Sequence, residues 1–226
     1  RDCLLSRGLG DVYKRQRMAE AERLRKARFA ACFDEKKAAA YPEAEEIFHR
    51  AGENFEEVYT FLSKDENPNR KKLLFSLALK DAKDLKASVL EDHLDCEQGD
   101  LPEEIFRKDL LCPRIFLEEL TPYRSMIRGF FEEETKRSFA EQPERILDYL
   151  KKNITFHPEE EYDTIMATPV GVLTMKQGSP LAQKILFVAI CRSLNVAARL
   201  NPVTLEPEYY LSLIHISEPT RQEAIS

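Results

Sequence analysis

Gly178-Ser179-Pro180-Leu181-Ala182-Gln183-Lys184-Ile185-Leu186-Phe187-Val188-Ala189-Ile190-Cys191-Arg192-Ser193-Leu194-Asn195 is the stretch whose reading decides the fold, and Val196-Ala197-Ala198-Arg199 continues it. Gly178 breaks what precedes. Ser179 is a favoured N-cap, Pro180 suits the first helical position, where a missing N–H costs nothing, and Asn195 tolerates a left-handed exit. These signals bracket one helix. From Ile185 to Cys191 every residue is apolar, and Gln183, Lys184, Arg192 and Ser193 stand near the ends. A stripe facing a single partner does not account for that pattern; a helix apolar all round is a buried one.

Upstream, the chain reads as helix after helix. Ala, Glu, Lys, Arg and Leu dominate from Arg17 to about Ala40, with Leu24, Ala27, Ala31 and Phe33 as sparse apolar contacts, which predicts a solvated helix packed by one thin face. Tyr41-Pro42 breaks it. Pro42, followed by Glu43, Glu45 and Glu46, starts a helix that turns Ile47, Phe48 and Ala51 inward and stops at Gly52. Phe55, Val58, Tyr59 and Leu62 have the spacing of a further short helix. Asp65-Glu66-Asn67-Pro68-Asn69 is a turn by composition. Lys71 to Leu79 predicts an apolar face of Leu73, Leu74, Leu77 and Ala78, and Asp81 to Leu94 one of Leu85, Val89, Leu90 and His93.

Leu101-Pro102-Glu103-Glu104 is another helix start, and Cys112-Pro113 ends that segment because the residue before proline avoids the helical region. After Thr121-Pro122-Tyr123-Arg124, the residues Met126, Ile127, Phe130 and Phe131 predict the inner face of the next helix. Gln142-Pro143-Glu144 begins another, lined by Ile146, Leu147, Leu150 and Ile154. Glu159 to Asp163 reads as a polar linker, and Thr168 to Leu173 as an irregular approach to the buried helix. No strand-like alternation precedes Val203, and no fixed period marks a repeat.

The chain has 226 residues, of which 33% are charged, with a net charge of −6. That balance points to a soluble chain and away from a general nucleic-acid binder. No apolar run reaches the length of a membrane span, and no basic start leads into an apolar signal region. Cysteines 3, 32, 96, 112 and 191 are scattered singly, without C-x-x-C or zinc-type spacing, so a reduced, cytoplasmic setting is the simpler reading and no metal or cofactor is called for. Residues 1–16 and 211–226 resemble translated sequencing-adapter read-through. They are expected to be disordered at the start and to lie outside the fold argument, leaving a natural part of roughly 17–210 that is cut at both ends.

Few polar residues are candidates for chemistry. His93 has no second ligand four residues away, which favours a satisfied or solvent-facing histidine over a metal ligand. Glu118 and Glu119 are adjacent, so they do not converge on one face; with Arg114 and Arg124 they predict an ion-pair cluster that fixes a turn.

Several of these segments carry a resemblance. Pro169-Val170-Gly171-Val172, Phe187-Val188-Ala189, Arg192-Ser193-Leu194 and Ala198-Arg199-Leu200-Asn201-Pro202-Val203-Thr204 resemble transglutaminase-like proteins of gut bacteria, some of which lack the nucleophile. A looser likeness over about 81–156, in Pro113-Arg114-Ile115, Glu118 and Pro122-Tyr123-Arg124, is similar to the helical region placed before that core. The resemblance implies a papain-like α+β core in which Cys, His and Asp act together on a glutamine amide or a peptide bond. The family Cys opens the buried helix, where the helix dipole and free N–H groups lower a thiol pKa. In the family's register that position is Pro180.

Cys191 lies eleven residues further on, about 16 Å along the axis at 1.5 Å per residue, among neighbours whose burial raises a thiol pKa. Ser179 reads as a cap, and as a nucleophile it requires a base, for which His157 is nearest in sequence. The expected architecture is mainly α, with a helical region over 17–156 followed over 157–210 by the start of a truncated transglutaminase core. No catalytic, cofactor-binding or metal residue is assigned. The function expected is non-catalytic binding of a peptide, glycan or protein partner, with no nucleic acid. The alternatives are an active cysteine hydrolase or acyltransferase, and a helical scaffold.

Overall fold

A computed structural model describes residues 3–159, 166–211 and 215–217. Backbone contacts group them into two units, one holding the chain up to Ser63 together with Leu79–Leu85, the other holding Lys64–Ala78 and the chain from Lys86 onward.

In the first unit, α1 spans Cys3–Cys32 and α2 spans Glu35–Ala39. The single solvated helix expected up to Ala40 is broken at Asp34, whose carboxylate accepts the N–H groups of Lys36 and Lys37 at 2.9 and 3.1 Å and starts a new helix there. Helix α1 also begins well before Arg17, where no structure was expected; no proline interrupts the run from Cys3. A 3₁₀ turn, Pro42–Ala44, leads into α3 (Glu45–Ala51), which buries Ile47, Phe48 and Ala51 and ends at Gly52 with φ +63°. Helix α4 (Phe55–Ser63) buries Phe55, Val58, Phe61 and Leu62. The turn Leu79–Lys83 packs on α3, and Asn54 Nδ2 ties it down by donating to the carbonyls of Ala82 and Leu85 at 2.9 and 2.8 Å.

In the second unit, α5 is Asn69–Leu74, shorter than the segment to Leu79 that the apolar pattern predicts. Ser76 donates its hydroxyl to Leu73 O at 2.6 Å, and such a local side-chain bond competes with helix continuation. The helix expected from Asp81 to Leu94 is likewise reduced to α6, Ala87–His93. Arg70 is buried between the carboxylates of Asp65 and Glu91. Helix α7 (Glu103–Ile105) passes into a π-helix, Phe106–Leu111, that buries Phe106, Leu110 and Leu111 and stops at extended Cys112 before Pro113.

Helices α8 (Tyr123–Phe130), α9 (Glu133–Glu141), α10 (Glu144–Asn153), α11 (Pro169–Met175) and α12 (Pro180–Ser193) follow. The inner face of α8 is Tyr123, Arg124 and Ile127, with Phe131 just past its end; Met126 and Phe130, expected inside, are exposed because the burial of Arg124 rotates the inward face away from them. Thr168 to Leu173 is no irregular approach. Thr168 Oγ1 accepts Gly171 N–H at 3.2 Å and Pro169 occupies the first turn, so α11 is a capped helix burying Val172 and Leu173. Of the linker read over Glu159–Asp163, only Glu159 lies within the described residues.

Helix α12 is the centre of this unit. Every residue from Ile185 to Cys191 is fully buried, with α8, α10, α11 and the sheet packed around it. The sheet is antiparallel in the order β1 (Ala198–Leu200), β2 (Pro207–Leu211), β3 (His215–Ser217), with Arg199 opposite Glu208 and Tyr210 opposite Ile216. Strand β1 thus precedes Val203, too short to show alternation, and β3 falls in the stretch resembling adapter read-through. A Cβ on Gly178 would stand 2.9 Å from Val172 Cγ1, so the absence of a side chain there lets α11 and α12 approach.

Candidate functional site

The two ends of α12 differ in chemistry. At the N-terminal end, Ser179 is extended and its Oγ accepts the Ala182 N–H at 3.2 Å; Pro180 fills the first helical position. Gln183 Nε2 donates to Gly178 O at 3.0 Å, and Lys184 pairs with Glu206 at 2.6 Å. A parallel bridge between Thr155 and Gln177 fastens this end to the exit of α10: Thr155 N–H donates to Lys176 O at 2.9 Å and Gly178 N–H to Thr155 O at 3.0 Å. His157, two residues past the bridge, is half exposed with Nδ1 3.5 Å from Glu159 Oε1. The Ser179 hydroxyl is engaged as a cap and makes no hydrogen bond to His157. Cys191 is fully buried near the other end of the helix, and burial pushes its thiol far above the ordinary range.

The C-terminal end is a buried cationic knot. Arg192 donates to the carbonyls of Ala198 (2.8 Å), Cys112 (2.6 Å), Arg114 (3.0 Å) and Lys108 (3.3 Å). Arg124 donates to Arg192 O at 2.8 Å, to Leu110 O, and through Nε to His93 Nδ1 at 3.2 Å. Carbonyls left over at a helix C-terminus carry partial negative charge, so the ends of α12 and the π-helix favour these guanidinium groups. Burial pulls the Arg124 guanidinium below its usual value. Arg128 Nε donates to Ser193 O at 2.7 Å, and Asn195, with φ +63°, exchanges bonds with the backbone of Glu97 through its side-chain amide.

Of the ion-pair cluster expected around Glu118, Arg124 is not a member. Arg124 turns to His93 and backbone carbonyls. The buried Glu118 carboxylate accepts the N–H groups of Ile115 and Phe116, both at 2.8 Å, while Arg114 donates to the Glu118 carbonyl. Glu118 fixes the turn as expected, but by binding backbone donors. On the sheet, Glu208 receives Arg199 Nε at 2.8 Å and Asn201 Nδ2 at 2.6 Å.

His93 is a satisfied core histidine. Its Nε2 lies 3.0 Å from Thr121 O and its ring meets Tyr123 edge-on at 4.5 Å. With Nδ1 accepting from Arg124, Nε2 carries the proton. Burial, then the Arg124 charge, lowers its pKa from 6.5 to about 3. The unfolded chain therefore binds a proton that the folded chain refuses between pH about 6.5 and about 3, and stability falls as pH drops through that window, by up to about 1.4 kcal/mol per pH unit. His93→Gln should flatten that slope in urea melts run at successive pH values. An unchanged slope would place the acid sensitivity elsewhere.

A helix wrapped on all sides, capped at its head and passing through a left-handed turn into an antiparallel sheet, gives this unit the character of a helical α+β core. The sequence model of the Transglutaminase-like superfamily matches residues 124–207. The chain therefore carries a transglutaminase-like domain, running from α8 to the start of β2, and the likeness read from Pro169, Phe187, Arg192 and Ala198 onward is borne out. No curated protein and no solved structure matches the chain. Among the described residues, no helix is long and apolar enough to cross a membrane.

Proposed function

We propose that the transglutaminase-like domain of this chain is non-catalytic and binds a peptide, glycan or protein partner. The observation carrying this reading is Pro180 at the first position of α12, where the family's chemistry calls for a thiolate and this side chain offers no nucleophilic atom. The other groups at hand support the same reading: Ser179 is committed to the cap, and Cys191 is sealed in the core with its thiol pushed towards the neutral form.

The test is a thiol-directed electrophile and a glutamine-peptide assay on the same native protein. Labelling of Cys191 should occur only after denaturation, no ammonia should be released from the peptide, and arrayed peptides or glycans should be retained by the folded chain alone. Native labelling at Cys191 coupled to ammonia release would overturn the proposal in favour of a cysteine hydrolase or acyltransferase. Failure of the folded chain to retain any arrayed ligand would remove the binding role.

A further inference from the structure

The first unit contains a cavity of about 570 Å³, within the range of small-molecule sites. Arg25, Lys26, Arg50 and Lys83 line it, against the single carboxylate of Glu53. That carboxylate is already 3.6 Å from Arg28, and Arg25 and Lys26 share one acid, Glu22, at 3.8 and 3.4 Å. Arg50 and Lys83 have no ion-pair partner among the described residues. A chain of net charge −6 thus gathers a surplus of positive charge around one void. Like charges facing a shared space repel, and an anion between them relieves the repulsion.

The remaining wall is aromatic. Phe29 stacks on Phe33 with ring centroids 4.9 Å apart, and His49 stacks on both, at 5.7 and 4.9 Å. Phe29 and His49 line the cavity. A flat apolar surface beside a cationic one suits a ligand with a charged head and a carbon body. A phosphate monoester brings close to two negative charges and three acceptor oxygens, enough to engage several donors at once, whereas a carboxylate brings one charge and two oxygens.

We infer that this cavity binds a small phosphorylated molecule, its phosphate held by Arg25, Lys26, Arg50 and Lys83 and its carbon body against Phe29 and His49. The inference is independent of the role proposed for the transglutaminase-like domain.

The test is calorimetric titration of the full chain at low salt with phenyl phosphate, inorganic phosphate and benzoate. Phenyl phosphate should bind once per chain, about tenfold more tightly than inorganic phosphate and more tightly than benzoate. The double variant Arg50→Ala/Lys83→Ala removes two exposed side chains, so the fold should persist by circular dichroism while phenyl phosphate affinity falls about tenfold or more. The charge-matched control Lys151→Ala/Lys152→Ala, on the exposed end of α10, should leave it unchanged. The proposal is overturned by non-saturable binding, by equal losses in both double variants, or by benzoate binding as tightly as phenyl phosphate.

Discussion

Arg192→Ala is expected to lower stability by about 3–5 kcal/mol, a large share of the roughly 5–15 kcal/mol that holds a typical domain together. The reason is the number of groups that lose a partner together. One guanidinium satisfies the carbonyls of Lys108, Cys112, Arg114 and Ala198, and the side chain is almost completely enclosed. Truncation leaves buried acceptors without donors and also opens a space in the core, and both effects act against the folded state. Arg192→Lys should recover little, because an ammonium on a flexible stem lacks the planar fork that reaches several carbonyls at fixed angles. Denaturant unfolding monitored by circular dichroism measures the loss; a midpoint shift worth under about 1 kcal/mol would mean the knot is incidental.

Pro180→Cys is expected to create a fast-reacting thiol where the wild-type protein has none. The substitution puts sulfur at the first position of α12, where unsatisfied N–H groups and the positive end of the helix dipole stabilise a thiolate. Native peptide mapping after brief iodoacetamide treatment at pH 7 should show position 180 modified at least about tenfold faster than Cys96, a partly buried thiol whose pKa burial raises. Cys191 should stay unmodified. Labelling at position 180 no faster than at Cys96 would mean that this helix end does not activate a thiol, and the argument from Pro180 would lose its force. Turnover in this variant is not expected from the thiol alone, since a nucleophile also needs a base within hydrogen-bond reach.

The sequence made the central helix readable because all its signals agree: a capping serine, a proline where no N–H is needed, seven apolar residues in succession and an asparagine at φ +63°. Helix α3 was equally legible from Pro42 to Gly52. Helix α11 was missed although Thr168 and Pro169 carry the same start signal as Ser179 and Pro180; its apolar positions, Val172 and Leu173, are too few to show a period. The boundaries at Leu74, Lys83 and Ala87 were blurred for the opposite reason. Apolar residues recur across them at helical spacing, while a serine-to-backbone bond at Leu73 and an asparagine reaching from residue 54 decide where the helices stop.

The cationic knot was illegible from spacing. Its members come from 93, 108–114, 124 and 192–198, and nothing local distinguishes an arginine bound to carbonyls from one bound to carboxylates. The one available hint was an arginine in the last turn of a helix whose middle is apolar, where the dipole favours a cation. Arg124 stands apart from the cluster expected with Glu118, Glu119 and Arg114 because proximity along the chain does not predict which way a buried side chain turns.

The reach of Arg192 also sets an order of events during synthesis. The Cys112 carbonyl meets its donor 80 residues later, and that donor needs Ala198 O as well. Contacts that distant close slowly, after the loop between them has been ordered. A nascent chain that has emerged only as far as α10 holds its π-helix with open acceptors and the side of α8 that packs on α12 uncovered, although Tyr123 and Phe131 already meet His93, Phe139 and Tyr149, which makes this interval one in which a chaperone has apolar surface to shield.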